Sequence, residues 1–353
     1  MKLPSALKHA NWLLVAAGFA AALGTAGTAF AQAIELKVSH YLPPNHTINV
    51  ELLRWTAELE KKSNGRLKFQ VFSSGQMGPV TRQYDLARTG VADIAFFIHG
   101  VMPGRFPLTD LSSLPYVFNP GEGAAMKGPL SGAAASATLT SLAAQMTKEY
   151  EGTQVLYMIA VPSIGLFFNK SEVKTPADMK GMRVRHNGPL PAKMIEAWGA
   201  TPAAVAPVEL ADALEKGTIQ GMTFNYEAAQ SFQLGEAVKH VTEVKAYASS
   251  FALVMNQKKY DALPADLRKL LDDSTGIEAA RRVGGKYDEA EANGKKYLLE
   301  HKTRIRVPTV AEGQAFHAAV LPLTEPLIAA LEAKGLPGRK VYDELRAKVN
   351  ASK

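Results

Sequence analysis

The alternation of strand-like and helix-like segments over residues 34–98 constrains the fold more than any other feature of the sequence. Apolar and polar residues alternate in residues 34–39, and apolar residues then recur at helical spacing over residues 48–59. A second alternating segment covers residues 67–71, and a predicted helix and strand follow it. This β-α-β-α-β order predicts a parallel α/β sheet covered by helices.

The first 31 residues have the layout of a cleaved secretory signal. Lys2 and Lys8 give a basic start, an apolar stretch runs over residues 12–23, and small residues precede a cleavage point near Gln32. This layout predicts an exported, periplasmic protein. A membrane anchor is the competing interpretation, but we expect no later run of about 20 apolar residues that would span a bilayer.

Composition excludes several classes of site. The 353-residue chain contains no cysteine, which rules out disulfides, thiolate metal sites and cysteine nucleophiles. An exported chain of this kind must rely on its core, and its length and 47% hydrophobic content favour about two domains or lobes. Loss of Lys2 and Lys8 with the signal lowers the formal net charge from +7 to +5. Because acidic and basic residues alternate along the predicted helices, we expect no nucleic-acid partner.

The middle and the C-terminal part of the chain continue the strand and helix pattern. The small-residue stretch over residues 121–144 predicts peripheral helix and loop, and strands follow over residues 154–160 and 165–168. Residues 264–301 predict a helical region that exceeds ordinary helix length. This region is expected to be either one helix across both lobes or two helices with a break at Gly284-Gly285, because glycine weakens a helix.

One internal similarity relates the two halves of the chain. The spacing Asp85-x4-Gly90-x2-Asp93-x3-Phe97 matches Asp212-x4-Gly217-x2-Gln220-x3-Phe224. Each half reads as a helix, a glycine that ends it and a strand. The similarity predicts two related lobes with Phe97 and Phe224 at strand ends that face a shared crevice, and chance similarity between two βα units is the alternative.

Two arginines lie two residues apart on a predicted strand over residues 182–186. In a strand such residues point to the same side, so Arg183 and Arg185 share one face and Val184 lies on the other. Ligands of open α/β sheets bind beyond the carboxyl ends of the strands. Arg185 is nearer that end and is the better candidate for a ligand, whereas Arg183 is expected to be paired structurally or to reach solvent.

Five fragments in order resemble the solute-binding proteins of tripartite ATP-independent periplasmic (TRAP) transporters, DctP type. They are EKKSNGRLKFQVFSSGQMG, RTGVADIAFF, LSSLPYVF, TPADMKGMRVR and LEKGTIQGMTFN. The resemblance implies the α/β, two-lobed periplasmic binding protein fold (type II-like), with a ligand cleft between the lobes and a long helix across both. We expect lobe I mainly over residues 32–155, lobe II mainly over residues 156–250, and crossing strands and helices over residues 251–353 that complete both lobes.

The resemblance also implies a ligand and a role. In that family, an arginine at the position of Arg185 binds the carboxylate of an organic acid, because the planar guanidinium offers two parallel N–H donors. It implies that the protein delivers the acid to integral membrane permease subunits. No cofactor and no metal are expected. The other predicted ligand-binding residues are Tyr41, Phe97, His99, Asn187, Phe224, Asn225 and Tyr226.

Departures from the family pattern bear on the ligand. Family members that bind sialic acid carry a second arginine near the position of Ile164, a glutamate near Ile98 and an asparagine near Tyr41. A sugar acid needs such polar groups, since each buried hydroxyl left unpaired is costly. We therefore expect an aromatic or apolar-bodied monocarboxylate, with a dicarboxylate or a 2-oxo acid as the open alternatives.

Other functions are weighed against this one. His40 and His46 lack companions at zinc-site spacing. The tetrad Ser171–Lys174 matches the S-x-x-K of penicillin-recognising enzymes, but the companion motifs S-D-N and K-T-G are missing. The alternatives kept are a binding module that feeds a sensory receptor and an exported hydrolase or isomerase on the same scaffold.

Overall fold

The computed structural model describes residues 33–352, in which two mixed β-sheets are covered by helices. The predicted signal over residues 1–31 lies outside the described residues. The strands are β1 Ile34–Ser39, β2 Leu67–Phe72, β3 Ile94–Ile98, β4 Thr153–Val161, β5 Gly165–Phe168, β6 Arg183–His186, β7 Thr201–Ala204, β8 Gly221–Phe224, β9 His240–Thr242, β10 Ser249–Asn256 and β11 Arg304–Arg306. The helices are α1 Thr47–Lys62, α2 Gln83–Thr89, α3 Gly132–Thr140, α4 Pro189–Ala197, α5 Leu210–Glu215, α6 Tyr226–Ser231, α7 Gln257–Asp261, α8 Ala265–Asp273, α9 Gly276–Glu300, α10 Val310–Val320, α11 Thr324–Glu332 and α12 Gly338–Ala351.

Each sheet forms the centre of one lobe. The first has the order β2-β1-β3-β10-β4, and the second has the order β11-β9-β5-β8-β6-β7. β1 pairs in parallel with β2 and β3, as the sequence rhythm predicts, and β10 joins β3 and β4 antiparallel. In the second sheet β6 pairs in parallel with β7 and β8. The structure therefore has the two-lobed α/β architecture expected from the sequence.

The chain crosses from the first sheet to the second between β4 and β5 and returns between β9 and β10. The lobe boundaries predicted at residues 155/156 and 250/251 fall near these crossings and stay predictions. The long helix α9 packs on α1, α3 and β4 of the first lobe and on α6 of the second. It is the helix across both lobes that the sequence predicts.

The small-residue stretch is not peripheral, which corrects the sequence-based expectation. Within it, α3 packs between β4 and α9, and Ala135 and Leu139 are buried. The Ser136 hydroxyl accepts a hydrogen bond from the Ala160 N–H of β4 at 3.0 Å. The Thr140 hydroxyl accepts from the Met158 N–H at 3.0 Å and donates to the Met158 carbonyl oxygen at 2.7 Å. Small side chains make this close approach possible, because larger ones would hold α9 and β4 away from α3.

The break in the long helical region lies at Ser274-Thr275 and not at Gly284-Gly285. α8 ends at Asp273, and α9 continues without interruption through both glycines. A Cβ atom at Gly284 would overlap the carbonyl oxygen of Gly132 in α3. Gly284 therefore serves the packing of two helices and does not end one of them.

In residues 33–352, one helical segment, Val310–Glu332, is long and apolar enough to cross a membrane by length and composition alone. The sequence-based expectation was that no such segment follows the signal. The segment consists of α10 and α11, joined by a 3-10 turn, and it packs on the rest of the protein through buried side chains. These are Phe316, Val320, Ile328 and Leu331.

Candidate functional site

A cavity lies between the two sheets, where the carboxyl ends of β1, β3, β6 and β8 converge. Together with the mouth that opens to solvent, its empty space is about 430 Å³. Residues from both lobes line it: Tyr41, Leu42, His46, Ile98, Ile164, Arg185, Asn187, Pro207, Thr223, Phe224, Asn225, Ala228, Phe232, Ser249, Phe251 and Tyr287. The position agrees with the rule that places ligands beyond the carboxyl ends of the strands.

Arg185 is the one Lys or Arg among the described residues of the cavity wall. It lies near the end of β6, between β7 and β8, and only 4% of its surface is exposed. Its Nε donates to the Val205 carbonyl oxygen at 3.2 Å, and its guanidinium carbon lies 5.5 Å from the centre of the Phe224 ring. These contacts leave the two terminal nitrogens available at the cavity.

Within residues 33–352, no carboxylate lies within 4.0 Å of the Arg185 guanidinium, since none of the ion pairs includes it. Burial lowers the pKa of this group, and the nearby Tyr247 and Tyr41 oppose that shift. An arginine nevertheless stays protonated in proteins. A buried charge without a counter-ion is costly, and the described residues supply no carboxylate to offset it.

The neighbouring arginine behaves differently. Arg183 shares a face of β6 with Arg185, as predicted, but it is exposed to solvent at the start of the strand. The two arginines differ in exposure because of their positions along β6. Only the carboxyl end of this strand lies beneath the other lobe.

Asn187 connects the two lobes at the cavity wall. Its Nδ2 donates to Ser249 Oγ at 2.6 Å, at the start of β10 in the first lobe. Its Oδ1 accepts a hydrogen bond from the Tyr247 hydroxyl at 2.9 Å. Both ends of this amide are therefore occupied by the protein's own groups.

Apolar and aromatic side chains form most of the remaining wall. Ile98, Ile164 and Phe251 come from the first lobe or the crossing segment, and Phe224 and Phe232 come from the second. Tyr41 is half-buried, and burial raises the pKa of its hydroxyl above the ordinary value, against the effect of Arg185. The cavity thus combines one buried cation with a largely apolar body.

Two glutamates lie directly behind this wall. Glu227 of α6 accepts hydrogen bonds from the Thr47 backbone N–H at 2.9 Å and forms an ion pair of 3.0 Å with His46. Glu291 of α9 accepts the Asn225 amide N–H at 2.5 Å, and burial raises its pKa to about 7 although its hydrogen bonds oppose this. Glu227 therefore joins the second lobe to the start of α1 in the first.

The structure brings five of the eight predicted site residues to the cavity and places three elsewhere. Tyr41, Arg185, Asn187, Phe224 and Asn225 line the cavity. Their roles in binding stay predictions.

Phe97 and His99 do not reach the cavity, which corrects the predicted crevice position. Phe97 is fully buried on the opposite face of β3, against Tyr84 and Phe106. Its neighbour Ile98 lines the cavity instead, because successive side chains of a strand point to opposite faces. His99 is buried with its ring nitrogens 3.0 Å from Ser250 Oγ and 2.7 Å from Tyr150 Oη, and burial lowers its pKa to about 3.

Tyr226 also lies outside the cavity wall. Its hydroxyl donates to Glu243 Oε1 at 2.8 Å, and its ring packs on Phe167. The turn from β8 into α6 points Phe224 and Asn225 toward the cavity, and the next residue is already part of the helix and faces away.

Several wall residues were not predicted as ligand contacts. Ser249 and Phe251 belong to β10, whose sequence SSFALVMN contains no ligand-binding motif. Phe232 directly follows α6, and Tyr287 lies within α9. In sequence both resemble ordinary core positions of a helix. Only Ile98 and Ile164 carried a signal, as apolar residues at positions where sugar-acid binders have charges.

The two histidines considered for zinc have structural roles. His40 lies 2.9 Å from Asn49 Oδ1, and burial lowers its pKa to about 4. His46 caps the start of α1, where its Nδ1 accepts the Ile48 N–H at 3.1 Å. In the part of the chain that the structure describes, no group of three or more His, Asp or Glu side chains is placed to hold a metal ion.

Comparisons with known proteins agree with this architecture. The model of the family "Bacterial extracellular solute-binding protein, family 7" (DctP) matches residues 38–330. A TRAP solute-binding protein from Rhodoferax ferrireducens T118, solved with copurified benzoate, is 27% identical with a TM-score of 0.83, covering 90% of this chain and 98% of its own. A marine metagenome TRAP solute-binding protein from an unidentified microbe, specific for aromatic acid ligands and co-crystallised with 3-hydroxybenzoate, is 26% identical with a TM-score of 0.84, covering 91% and 99%. The outer membrane transporter protein TsaT of Comamonas testosteroni is 24% identical over 338 residues, which are 92% of this chain and 94% of TsaT.

Proposed function

The chain belongs to family 7 of the bacterial extracellular solute-binding proteins, the DctP family, and on that basis we propose that it is the periplasmic receptor of a TRAP transporter. It captures an aromatic or apolar-bodied monocarboxylate between its lobes through Arg185. It then delivers this acid to the membrane permease subunits.

The observation that carries the proposal is the state of Arg185. Its charge is buried at the wall of a cavity between the lobes and has no carboxylate partner among residues 33–352. A ligand carboxylate supplies the missing counter-ion and matches the guanidinium in shape, since two parallel N–H donors meet two oxygens. The alternative to ligand binding is that Arg185 forms an ion pair with a glutamate or aspartate of its own chain. Among the described residues it forms no such pair.

The wall of the cavity supports an apolar ligand body. Ile164 and Ile98 stand where sugar-acid binders place charged groups, and both are buried. Arg185 is the one Lys or Arg in the described wall, and His46 there is already bonded to Glu227. This favours one ligand carboxylate over two, because a second carboxylate would be desolvated without a counter-ion. The relatives solved with benzoate and 3-hydroxybenzoate support the same class.

Isothermal titration with benzoate and related acids tests the proposal. We expect wild-type protein to bind at least one aromatic monocarboxylate, and we expect Arg185→Met to weaken that binding by about 30- to 5,000-fold. The reason is that loss of one partner of a buried, hydrogen-bonded charge pair costs about 2–5 kcal/mol.

The matched control is Arg183→Met on the same face of the same strand, which should bind the acid as wild type does because Arg183 is exposed. Both variants should keep the wild-type far-ultraviolet circular dichroism spectrum. Equal affinity of Arg185→Met and wild type for every acid in the panel would overturn the proposal.

Transport is tested separately from binding. Reconstitution of the purified protein with its permease in vesicles should give uptake of a radiolabelled acid that depends on the protein. A sensory role predicts no uptake, and a hydrolase or isomerase predicts chemical change of the acid on incubation. We expect uptake and an unchanged acid.

A further inference from the structure

Asp110 lies where the first lobe meets the start of α4 in the second lobe. It belongs to the 3-10 helix Thr109–Ser113, which packs on β10 and on α4. The residue is half-buried and lines two cavities other than the one that contains Arg185. Both cavities have walls from the two lobes, because residues of the first lobe face residues 187–191 in one and Pro189 and Leu190 in the other. Asp110 is therefore an acidic residue at the junction of the lobes, outside the site already described.

The Asp110 carboxyl group has no partner in the protein. Within residues 33–352, none of the ion pairs includes it and no N–H or O–H group donates to it. The donors at the start of its helix are already used by Glu149. This carboxylate accepts the N–H groups of Leu108 and Thr109 and the Thr109 hydroxyl, the last at 2.8 Å. Asp110 is thus left without the donors that usually stabilise a carboxylate.

The second lobe brings an apolar cover to Asp110 and no donor. α4 begins with Pro189-Leu190-Pro191, and a proline has no N–H to offer. Leu190 is buried and packs in the same apolar cluster as Leu111 of the first lobe. Because these residues of α4 form walls of both cavities, separation of the lobes exposes Asp110 to water and closure covers it again.

The charges on the elements around Asp110 do not replace a counter-ion. β10 has no ionisable side chain. His99 after β3 is buried, and burial lowers its pKa to about 3, so it is neutral. Lys193 of α4 is exposed and forms no ion pair among the described residues. The others are engaged elsewhere in the first lobe: Tyr150 with His99 and Thr109, Arg105 with the Tyr84 ring, and Arg346 of α12 with the Val117, Asn119 and Gly121 carbonyl oxygens.

Closure of the lobes therefore favours the neutral form of the Asp110 carboxyl group. Burial, and next the repulsion by Glu149, raise the pKa of Asp110 from its ordinary value of 3.8 to about 7. Glu149 belongs to the same lobe, so its repulsion acts whether the lobes are together or apart. The cover by α4 exists only when they meet. A group whose pKa is higher in one state takes up a proton when that state forms, and it stabilises that state less as the pH rises through the raised value.

We propose that Asp110 is a proton-binding site at the junction of the lobes, so that the protein takes up one proton when it closes on its acid ligand. The inference rests on the proposed function, in which the lobes close on an organic acid, and it adds H⁺ as a second ligand at a separate site. The protein then holds its acid more tightly at low pH and releases it more readily at high pH.

Isothermal titration with benzoate between pH 6 and pH 8 tests this proposal, with the tightest-binding acid of the panel in its place if that acid is another. A carboxylic acid of this kind stays ionised over the whole range. We expect the affinity of wild type to fall about tenfold from pH 6 to pH 8. Titrations at pH 7 in buffers of different ionisation enthalpy should show an uptake of about 0.5 proton for each acid bound.

Variants at the junction assign this proton to Asp110. Asp110→Asn keeps the shape of the side chain but cannot ionise, so it should abolish the uptake and bind benzoate at pH 8 about tenfold or more tightly than wild type does. Leu190→Ala should reduce the uptake with Asp110 intact, because water then reaches the carboxylate in the closed state. Asp212→Asn, in an exposed ion pair with Lys216 on the second lobe, is the matched control and should keep the wild-type uptake.

A second carboxyl group must be separated from Asp110. Burial also raises the pKa of Glu291 to about 7, and this residue lies behind the wall of the cavity that contains Arg185. Glu291→Gln should keep the proton uptake, since Asp110 is unchanged. An uptake that disappears in Glu291→Gln and survives in Asp110→Asn would assign the proton to Glu291 and overturn the inference.

Melting temperatures without ligand show whether each variant is folded, and Leu190→Ala keeps the test open if Asp110→Asn does not fold. The inference is also overturned if wild type binds acids without proton uptake near pH 7. In those cases the proposed function still stands when Arg185→Met removes the binding. Failure of every acid to bind wild type would overturn both.

Discussion

At the residue scale, Glu227 and Arg185 are two buried charged side chains of the second lobe with opposite surroundings. Glu227 accepts hydrogen bonds from the Thr47 N–H and the Ser231 hydroxyl at 2.9 Å each, and it contacts His46 and Tyr287 as well. Arg185 has one backbone partner and no counter-ion among the described residues. The hydrogen-bonding capacity of Glu227 is used within the protein, whereas Arg185 has no carboxylate partner among the described residues, as its proposed role in binding requires.

The pKa of Glu227 leads to a prediction about stability. Burial alone would raise this pKa, but the interaction with His46 and the hydrogen bonds from Thr47 and Ser231 outweigh burial and lower it to about 2. A carboxylate whose folded pKa lies below its ordinary value of 4.5 stabilises the fold above about pH 4.5 and loses this contribution as the pH falls toward 2.

We therefore expect Glu227→Gln to lower the free energy of unfolding at pH 7 by about 2–3 kcal/mol. The difference between variant and wild type should shrink between about pH 5 and pH 2. Urea unfolding followed by circular dichroism across this range measures it. Glu58→Gln, in an exposed ion pair of α1, is the control and should cost less than about 1 kcal/mol. A pH-independent difference for Glu227→Gln would contradict the prediction.

At the element scale, the contact between α3 and α9 depends on a glycine in the middle of a helix. Gly284 costs α9 some intrinsic helix stability, yet a Cβ atom there would overlap the Gly132 carbonyl oxygen. The next residue, Gly285, has ordinary space, since its added Cβ would lie 3.8 Å from the Ala133 side chain. Two adjacent glycines of one helix therefore have opposite sensitivity to substitution.

We predict that Gly284→Ala lowers the free energy of unfolding by about 1–3 kcal/mol, because backbone and not a flexible side chain blocks the new methyl group. The matched variant Gly285→Ala should raise it by about 0.5–1 kcal/mol through helix propensity. Chemical denaturation of both variants measures the pair. Equal and favourable effects at the two positions would show that α3 and α9 are not in close contact.

At the scale of the whole molecule, the two lobes meet closely beside the cavity. An added Cβ at Gly100, which follows β3 in the first lobe, would overlap the carbonyl oxygen of Asn187, which follows β6 in the second. Gly188 faces Gly100 in return, with its added Cβ 2.8 Å from the Gly100 carbonyl oxygen. Asn187 also donates a hydrogen bond to Ser249 of the first lobe. We call this contact between the lobes, formed by Gly100, Asn187, Gly188 and Ser249, the seam. The seam brings the Arg185 strand next to the first lobe.

If ligand binding needs this closed arrangement, Gly100→Ala should weaken binding of an aromatic acid by about tenfold or more, because the methyl group holds the lobes apart. The melting temperature without ligand should change little, since each lobe keeps its own core. Titration calorimetry and thermal unfolding measure the two quantities. Gly128→Ala, in open space, is the control and should bind as wild type does. Unchanged affinity in Gly100→Ala would indicate that the seam is not needed for binding.

Local pattern in the sequence was enough for the elements and for the central site residue. Alternation and helical spacing predicted β1 to β3 and α1, and the glycine stops predicted the ends of α2 and α5, because these signals depend on neighbours in the chain. The placement of Arg185 at the carboxyl end of β6 followed from strand geometry, and the family resemblance implied the two-lobed fold.

The sequence alone thus determined which segments form strands and helices and on which strand the buried arginine lies, since short-range sterics and periodicity decide both. Tertiary structure decided which strand faces meet the cavity, so that Ile98 and not Phe97 lines it. It decided that α3 is central and that α9 passes unbroken through Gly284. It also brought Glu291 to the start of α6, where its carboxylate accepts the N–H groups of Tyr226 and Glu227. These features depend on contacts between residues about 60 to 150 positions apart, which only packing of the two lobes creates.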